Sequence, residues 1–395
     1  MAFLAARKNL LRARDPHEES RVTFVELFFD LVFVFAITQL SHSLLEDLSV
    51  AGAMHVALLL FAVWWVWIYT AWVTNWLDPQ LPLVRLMLFV LMLAGLLLSA
   101  SIPHAFTEAG LVFAIAYALM QVGRSLFVVW AVRGHSPENF LNFQRISIWL
   151  LTSAALWIAG GLVGEGVRPI LWLGALVIEY VSPAVGFYVP GLGRSTTEDW
   201  DIEGGHIAER CGLFVIIALG ESILVTGATF ADLAWNGTTV AAFIVAFVGS
   251  VAMWWIYFNL GAERGSRRIA QSSDPGRLAR LAYTYIHIVI VAGIIVCAVA
   301  DELVLTHPTG HVEKSALAVI LGGPAVYLVG NVLFKYAIAG RLPPSHLAGL
   351  ALLAALIPFA NYLSLLQLGA AANAVLVLVA IWETISLRTP WVQTE

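Results

Sequence analysis

Several acidic residues stand inside long apolar stretches of the sequence, where a carboxylate can bind a cation or exchange a proton. Glu26 and Asp30 are four residues apart, which places them on one face of a helix. Glu179, Glu221 and Glu383 each follow a run of bulky apolar residues. Burying a charge in hydrocarbon is costly unless the charge is paired, hydrated or neutralised. The pattern therefore indicates either a cation or proton pathway or a cluster of buried structural carboxylates.

Glu221 is the strongest single candidate for a transport or proton site. No basic residue lies within one helical turn of it in the sequence. A carboxylate in such a place needs water, a cation or a proton of its own, and proton relays in membranes use groups of this kind. The alternative is a neutral, hydrogen-bonded glutamate with a structural role.

Arg210 stands on the same predicted helix as Glu221, eleven residues earlier. This separation corresponds to roughly 16 Å along a helix axis, too far for the two to pair. We expect Arg210 to form a charge-assisted pair with Glu26 or Asp30, since the matching apolar stretches place them at similar depth. The secondary candidates for the same pathway are His206, Glu209, Thr38, Gln39 and Glu383.

Other ionisable residues near the ends of the apolar stretches have simpler interpretations. His206 is expected at the membrane interface, and its HxxER spacing lacks the further ligands of a zinc site. Arg124 is expected to extend its side chain to the inner surface. Asp301 and Glu302 are expected at the outer interface.

Motifs for bond-making chemistry are absent from the sequence. It contains no serine nucleophile elbow, Walker loop, dinucleotide fingerprint or HExxH motif. We therefore predict no catalytic residue, metal or cofactor. The formal net charge of −5 indicates no nucleic-acid partner, and the two cysteines, Cys211 and Cys297, suggest no disulfide framework.

The composition indicates the elements that must position these residues. Of 395 residues, 60% are hydrophobic and 12% are charged, whereas soluble proteins are about half apolar and about a quarter charged. The mean hydropathy is +0.85. An apolar helix needs about 20 residues to span a bilayer, and runs of this kind predict an all-α, polytopic integral membrane protein. The twelve predicted spans are 22–45, 51–75, 82–102, 109–131, 145–164, 168–190, 207–229, 238–260, 280–303, 315–339, 346–367 and 370–388.

The distribution of basic residues predicts the orientation of these spans. With the N-terminus placed in the cytoplasm, all but Arg168 and Lys314 of the 21 Lys and Arg residues fall on the inner side. This bias satisfies the positive-inside rule for twelve spans with both chain ends in the cytoplasm.

Two stretches of the chain resemble each other and predict an internal repeat. Residues 26–37 read ELFFDLVFVFAI and residues 209–220 read ERCGLFVIIALG, each with a carboxylate at its start and a polar pair shortly after its end. We predict a basic N-terminal segment at 1–21, six-helix halves at 22–190 and 206–388, and a linker at 191–205. Two halves that each have an even number of spans insert with the same orientation in the membrane. Substrate sites often lie between such parallel repeats.

The same stretches carry a family resemblance. ELFFDLVFVFAITQLSHSL at 26–44 resembles the opening signature of the bacterial low temperature requirement A family, and HIAERCGLFVIIALGESIL at 206–224 resembles its second signature. The resemblance runs over 22–385. It implies a multi-pass protein of the bacterial inner membrane and a link to growth in the cold, but it supplies no agreed biochemical activity.

These observations favour a transporter or channel for a small cation or a proton-coupled solute, with the lipid bilayer and a small ion or solute as partners. FFDLVFVFAI is also similar to a motif of endolysosomal and bacterial potassium channels, although Phe29 replaces the serine of that motif. A structural or cold-adaptation membrane factor is the main alternative, and a membrane enzyme is a third. A homo-oligomer is left open.

Overall fold

The computed structural model describes residues 9–13, 21–196, 202–259 and 275–388, and it is mostly helical there. Within these ranges no β-strand forms, and three isolated β-bridges are present. Eleven of the described helices are long and apolar enough to cross a bilayer. Lipid offers the backbone no hydrogen-bond partners, and a helix satisfies them internally. The prediction of an all-α polytopic membrane protein is confirmed.

Twelve helical segments in the described part of the chain correspond to the twelve predicted spans. The first six are α1 (Phe24–Glu46), α2 (Val50–Trp76), α3 (Pro82–Ser101), α4 (Gly110–Val132), α5 (Pro137–Leu162) and α6 (Arg168–Val181). The others are α7 (Gly204–Asp232), α8 (Gly237–Phe258), α9 (Gly276–Thr306), α10 (Lys314–Ala339), α11 (Pro344–Leu356) and α12 (Leu365–Arg388). Short 3₁₀ turns extend α3 to His104 and α11 to Tyr362.

The largest correction concerns the sixth helix, which was predicted to run over 168–190. α6 ends at Val181 after 14 residues, a length of about 21 Å, whereas the hydrocarbon core is about 30 Å thick. Pro183 lacks an amide hydrogen and cannot continue the helix. The chain then turns at Gly186 and Phe187, whose φ angles are 64° and 48°.

Other boundaries also differ from the prediction, and those of α5 and α12 differ for separate reasons. α5 begins at Pro137 rather than at 145, since Ser136 caps it by accepting a hydrogen bond from the Asn139 amide at 3.4 Å. Its first turns are polar. α12 begins at Leu365 rather than at 370, since α11 and its 3₁₀ extension end at Tyr362 and not at the predicted residue 367.

The chain divides into two compact units. The first takes in the described residues of Met1–Leu40, Met54–Ile207 and Asp274–Arg277, and the second those of Ser41–Ala53, Ala208–Ser273 and Leu278–Glu395. The predicted halves at 22–190 and 206–388 stay a prediction. Most of the predicted N-terminal segment 1–21, and residues 197–201 of the predicted linker 191–205, lie outside the described residues.

Within each unit the helices pack through small residues and aromatic rings. In the first unit, α4 packs against α3 and α5, and α5 packs against α6. In the second unit, α9 and α10 form the most extensive contact. Their backbones come so close that a Cβ atom added at Gly293 would lie 2.4 Å from the amide nitrogen of Tyr327. Small residues allow this approach, which membrane helices use to gain packing contacts.

Among the described helices, two contain a π-helical segment, at Leu119–Gly123 in α4 and at Arg280–Ile286 in α9. Such segments are rare in proteins as a whole, and those that occur are often found at functional sites. Both lie next to buried polar side chains.

Candidate functional site

Glu26 forms the first polar cluster, at the start of α1 in the first unit. Its carboxylate is fully buried and accepts hydrogen bonds from the backbone and hydroxyl of Thr23 at 2.8 and 2.9 Å. It also forms ion-pair contacts with Arg12 at 3.1 Å and with His206 at 3.0 Å. His206, expected at the interface, is itself buried. The structure therefore places a basic residue and an imidazole on this carboxylate.

The tautomer of His206 follows from its other neighbour, Asn75. The amide oxygen of Asn75 accepts the backbone N–H of Glu203 at 3.0 Å, and this assigns its NH₂ group to the side facing His206 Nδ1, 3.3 Å away. Nδ1 is then the acceptor, and the hydrogen on Nε2 is donated to Glu26. The Arg12 guanidinium nitrogen 3.2 Å from Nε2 is therefore a contact between two donors and not a hydrogen bond. The cluster is thus fixed by a partner on α2.

Arg12 reaches Glu26 because residues 10–12 are held against the end of α2. The Arg12 amide donates to the Trp76 carbonyl at 2.8 Å, and the Asp78 amide donates to the Leu10 carbonyl at 2.9 Å. The guanidinium also donates to the Thr74 carbonyl at 2.8 Å. Sequence reasoning treated Arg12 only as one of the basic residues that set the topology.

Asp30 lies one turn after Glu26 on the same face of α1 and is fully buried. The indole N–H of Trp67 in α2 donates to its Oδ1 atom at 2.8 Å. Trp67, which also packs against Trp64, therefore holds this carboxylate.

Glu179 in α6 is also buried, and its carboxylate accepts four hydrogen bonds from uncharged groups. Oε1 accepts from the Ser153 hydroxyl at 2.7 Å and the Trp157 indole at 3.1 Å. Oε2 accepts from the Tyr117 hydroxyl and from the Gln121 amide at 3.1 Å. Four hydrogen bonds fill the acceptor capacity of a carboxylate, which is about four, and they indicate a residue held firmly in place.

Arg124 lies three residues after Gln121 in α4 and is 1% exposed, which corrects the expectation that it reaches the membrane surface. It donates to the Val66 carbonyl at 3.0 Å, to the Thr70 hydroxyl at 2.9 Å and to the side-chain oxygen of Gln121. Gln121, inside the π-helical segment of α4, thus connects the guanidinium with Glu179.

Glu221 lies in α7, in the second unit, and is buried. The next residue, Ser222, connects three helices: its hydroxyl lies 3.2 Å from the Ser250 hydroxyl of α8 and 3.4 Å from Asp301 Oδ2 of α9. Thr226, one turn further along α7, is buried, and its hydroxyl has no hydrogen-bond partner among the described residues. Asp301, expected at the outer interface, therefore belongs to an oxygen-rich cluster with Ser222 and Ser250, and Ser222 directly follows Glu221 in α7.

Glu383 in α12 pairs with Lys335 of α10, with 2.5 Å between Oε1 and Nζ. Lys335 Nζ also lies 3.1 Å from Nε2 of the buried His346 in α11 and donates to the Ile256 carbonyl at 3.4 Å. Sequence reasoning named Glu383 but not the lysine that neutralises it.

The two units hold these residues in similar ways. In α4, Tyr117, Gln121 and Arg124 follow one another, and in α10 the corresponding order is Tyr327, Asn331 and Lys335. In each unit the basic residue donates to a backbone carbonyl, of α2 or of α8. It is also connected to a glutamate of α6 or α12, through Gln121 in the first unit and directly in the second.

The remaining candidate residues are described by their burial and, for Thr38, by a hydrogen bond within its own helix. Arg210 is buried in α7 and Glu209 is exposed, and the expected pairing of Arg210 with Glu26 or Asp30 stays a prediction. Thr38 donates to the Val34 carbonyl of its own helix at 3.0 Å, and Gln39 is half-buried. In the part of the chain that the structure describes, no three His, Cys, Asp or Glu side chains are grouped as metal ligands would be.

Comparison with known proteins agrees with the two signature stretches. The model of the bacterial low temperature requirement A protein family matches residues 21–381. An uncharacterized protein of Rhizobium meliloti (strain 1021) is 43% identical over 373 residues, which cover 94% of this chain and 91% of that protein. No solved structure matches the chain. The chain therefore belongs to the bacterial low temperature requirement A family.

Proposed function

We propose that the protein moves a small cation, or a solute coupled to protons, across the bacterial inner membrane. The observation that carries this proposal is the contact of Ser222 with Asp301 and Ser250 beside the buried Glu221. The contact joins one carboxylate and two hydroxyls from three membrane-spanning helices, and the second carboxylate, Glu221, precedes Ser222 in α7.

Asp301 supports the proposal through its surroundings. It lies in the apolar helix α9 and forms no ion pair with any residue that the structure describes, and its hydrogen bond to Ser222 is long at 3.4 Å. A carboxylate inside a membrane helix without a counter-charge has to take up a proton or a cation. Oxygen ligands favour protons and hard cations over the softer transition metals.

The similar arrangements in α4 and α10 support a transporter built from two parallel six-helix repeats. α10 follows α4 at an offset of six helices, an even number, so both repeats would have the same orientation. Intramembrane charges paired in this way hold helices together while other carboxylates remain available for transport.

Glu179 favours the alternative, a structural role, for its own position. Its carboxylate is occupied by four uncharged donors, and a transported ion would have to displace some of them. We therefore assign transport to Glu221 and Asp301 and treat Glu179 as part of the helix packing.

Purified protein in liposomes tests the proposal. Gradients of protons, sodium or potassium would be applied, and the flux followed with an internal pH dye and ion-selective electrodes. Wild-type protein is expected to carry at least one of these cations. Glu221→Gln and Asp301→Asn should abolish the flux, because an amide neither ionises nor titrates. Glu165→Gln, a change at an exposed loop position, is the matched control and should keep the flux.

Two results would contradict the proposal at different levels. The first is a folded wild-type protein whose liposomes show no more flux of any of the three cations than empty liposomes. This result would favour the structural or cold-adaptation role. Full flux in both Glu221→Gln and Asp301→Asn would leave transport intact but remove this cluster as its site.

A further inference from the structure

A groove of about 400 Å³ runs between α10 and α11 in the second unit. Leu321 and Leu353 are buried at its floor, and small residues keep it open. A Cβ atom added at Gly322 would meet no atom within 4 Å. Its lining residues are Lys314, Leu317, Ala318, Leu321, Gly322, Ala325, Leu350, Leu353, Ala354 and Ile357. All but the first are apolar, which suits a hydrocarbon chain and not a free polar ion.

Lys314, the first residue of α10, supplies the positive charge at one end of the groove. It is exposed and forms no ion pair or hydrogen bond with any described residue through its side chain, whereas Lys335 is neutralised by Glu383. No side chain caps the start of α10, and the uncapped amide groups of a helix N-terminus attract anions. This end of the groove therefore offers two attractions for a phosphate, the Lys314 ammonium and the uncapped amides, which act against the charge of the exposed Glu313 carboxylate one residue earlier.

The length of the groove matches one leaflet of a membrane. From Lys314 to Ala325 the lining residues of α10 extend over roughly 16 Å of helix axis. Half of the hydrocarbon core is about 15 Å thick. A phosphate bound where α10 begins would let an acyl chain follow the groove to about the middle of the bilayer.

We propose that this groove is a specific site for an anionic phospholipid, with its phosphate at Lys314 and the start of α10 and one acyl chain along Gly322 and Ala325. The site is independent of the cation cluster at Glu221 and goes beyond the proposed transport function. Such a lipid fills the space between α10 and α11 and fixes the spacing of the two helices.

Native mass spectrometry of the purified protein titrated with dioleoyl phosphatidylglycerol tests the proposal. Wild-type protein should retain one phosphatidylglycerol more tightly than the rest. Gly322→Leu fills the groove and should lower the occupancy of this site about tenfold, which corresponds to roughly 1.4 kcal/mol. Gly174→Leu, the same change at a half-buried glycine of α6, should leave the occupancy unchanged.

Two further measurements separate the headgroup from the chain. Lys314→Gln should reduce phosphatidylglycerol binding to the level of the zwitterionic dioleoyl phosphatidylcholine, and inorganic phosphate alone should not compete. Ala325→Leu serves as a second groove-filling variant if Gly322→Leu proves unstable. Equal retention in wild type and both groove-filling variants, or equal binding of the two lipids by wild type, would overturn the assignment.

Discussion

Glu179 and Asp301 are both carboxylates inside helices, yet their surroundings differ. Glu179 accepts four hydrogen bonds from neutral donors, whereas Asp301 accepts one long hydrogen bond from Ser222 within the described residues. A carboxylate with all its acceptor sites filled is held in place by its hydrogen-bond donors. Replacing it, or loading it with a cation, would break some of those hydrogen bonds. A sparsely held carboxylate can exchange its proton or cation without breaking the packing.

Glu179→Gln is therefore expected to destabilise the protein. The new NH₂ group would face two donors that had bonded to a carboxylate oxygen, and each buried group left without a partner costs about 1–3 kcal/mol. Tyr117→Phe should cost less, because three donors remain. The midpoint of thermal unfolding in detergent measures both effects. Unfolding midpoints for Glu179→Gln equal to those of wild type and of Glu165→Gln would refute the structural role of Glu179.

Arg168 illustrates a basic residue that serves structure. Its buried guanidinium donates to four backbone carbonyls at 2.6–3.2 Å, those of Gly160, Val163, Ala105 and Thr107. It thereby ties the end of α5, whose last carbonyls lack helical partners, to the turn after α3.

Arg168→Ala should lower the unfolding free energy by more than about 3 kcal/mol, because several buried acceptors lose their donor together. Arg168→Lys should recover part of the loss with its single ammonium group. Arg133→Ala, at an exposed arginine, is the control and should change little. Denaturation followed by tryptophan fluorescence provides the comparison, and equal effects at the two arginines would contradict the assignment.

The sequence identified the buried carboxylates but not what holds them. Glu26 and His206 are 180 positions apart, and nothing local to either residue indicates their contact. Arg124 and Gln121 could have been found from the spacing of Tyr117, Gln121 and Arg124, which lie near one face of a helix. Their carboxylate partner on α6, Glu179, could not have been found in this way, because the contact depends on how α4, α5 and α6 pack.

At the scale of elements, hydropathy predicted each of the described helices α1 to α12, because crossing a bilayer demands long apolar runs. Hydropathy was less accurate at helix ends that are set by capping or by the backbone conformation. Ser136 begins α5 by capping, and Pro183 together with the turn at Gly186 and Phe187 ends α6. Apolar residues beyond Val181 resemble a continuing span, although the backbone cannot continue as a helix through them.

The contact between α9 and α10 depends on glycines and gives an element-scale prediction. A methyl group at Gly293 would lie 2.4 Å from the Tyr327 backbone, and one at Gly330 would lie 2.8 Å from the Ile290 backbone. Gly293→Ala should therefore push the helices apart and lower the unfolding temperature in detergent, since packing is a main source of attraction between membrane helices. Gly322→Ala on α10, with open space around the new methyl group, should be close to neutral. Equal unfolding temperatures for the two variants would show that the helices separate without cost.

At the scale of the whole molecule, the number of crossings depends on α6. This helix is about 21 Å long and extends from Arg168 to Val181. A short hydrophobic segment can still cross if the bilayer thins locally or neighbouring residues extend to the interface. The turns that follow α6 up to Tyr188 would have to complete the crossing.

The last prediction is that α6 does cross, so that both chain ends lie in the cytoplasm. Glu165 and Thr196 flank α6 and are exposed, and the native Cys211 and Cys297 are buried, so single cysteines introduced there can be labelled selectively. A membrane-impermeant maleimide added to intact spheroplasts should label Glu165→Cys and Thr309→Cys but not Thr196→Cys, which should react only after permeabilisation. If α6 stayed on one side, Thr196→Cys would be labelled from outside and Thr309→Cys from inside. The basic residues after α6 would then face outward, against the positive-inside rule. The strong bias of those residues is the reason we expect the short helix to cross.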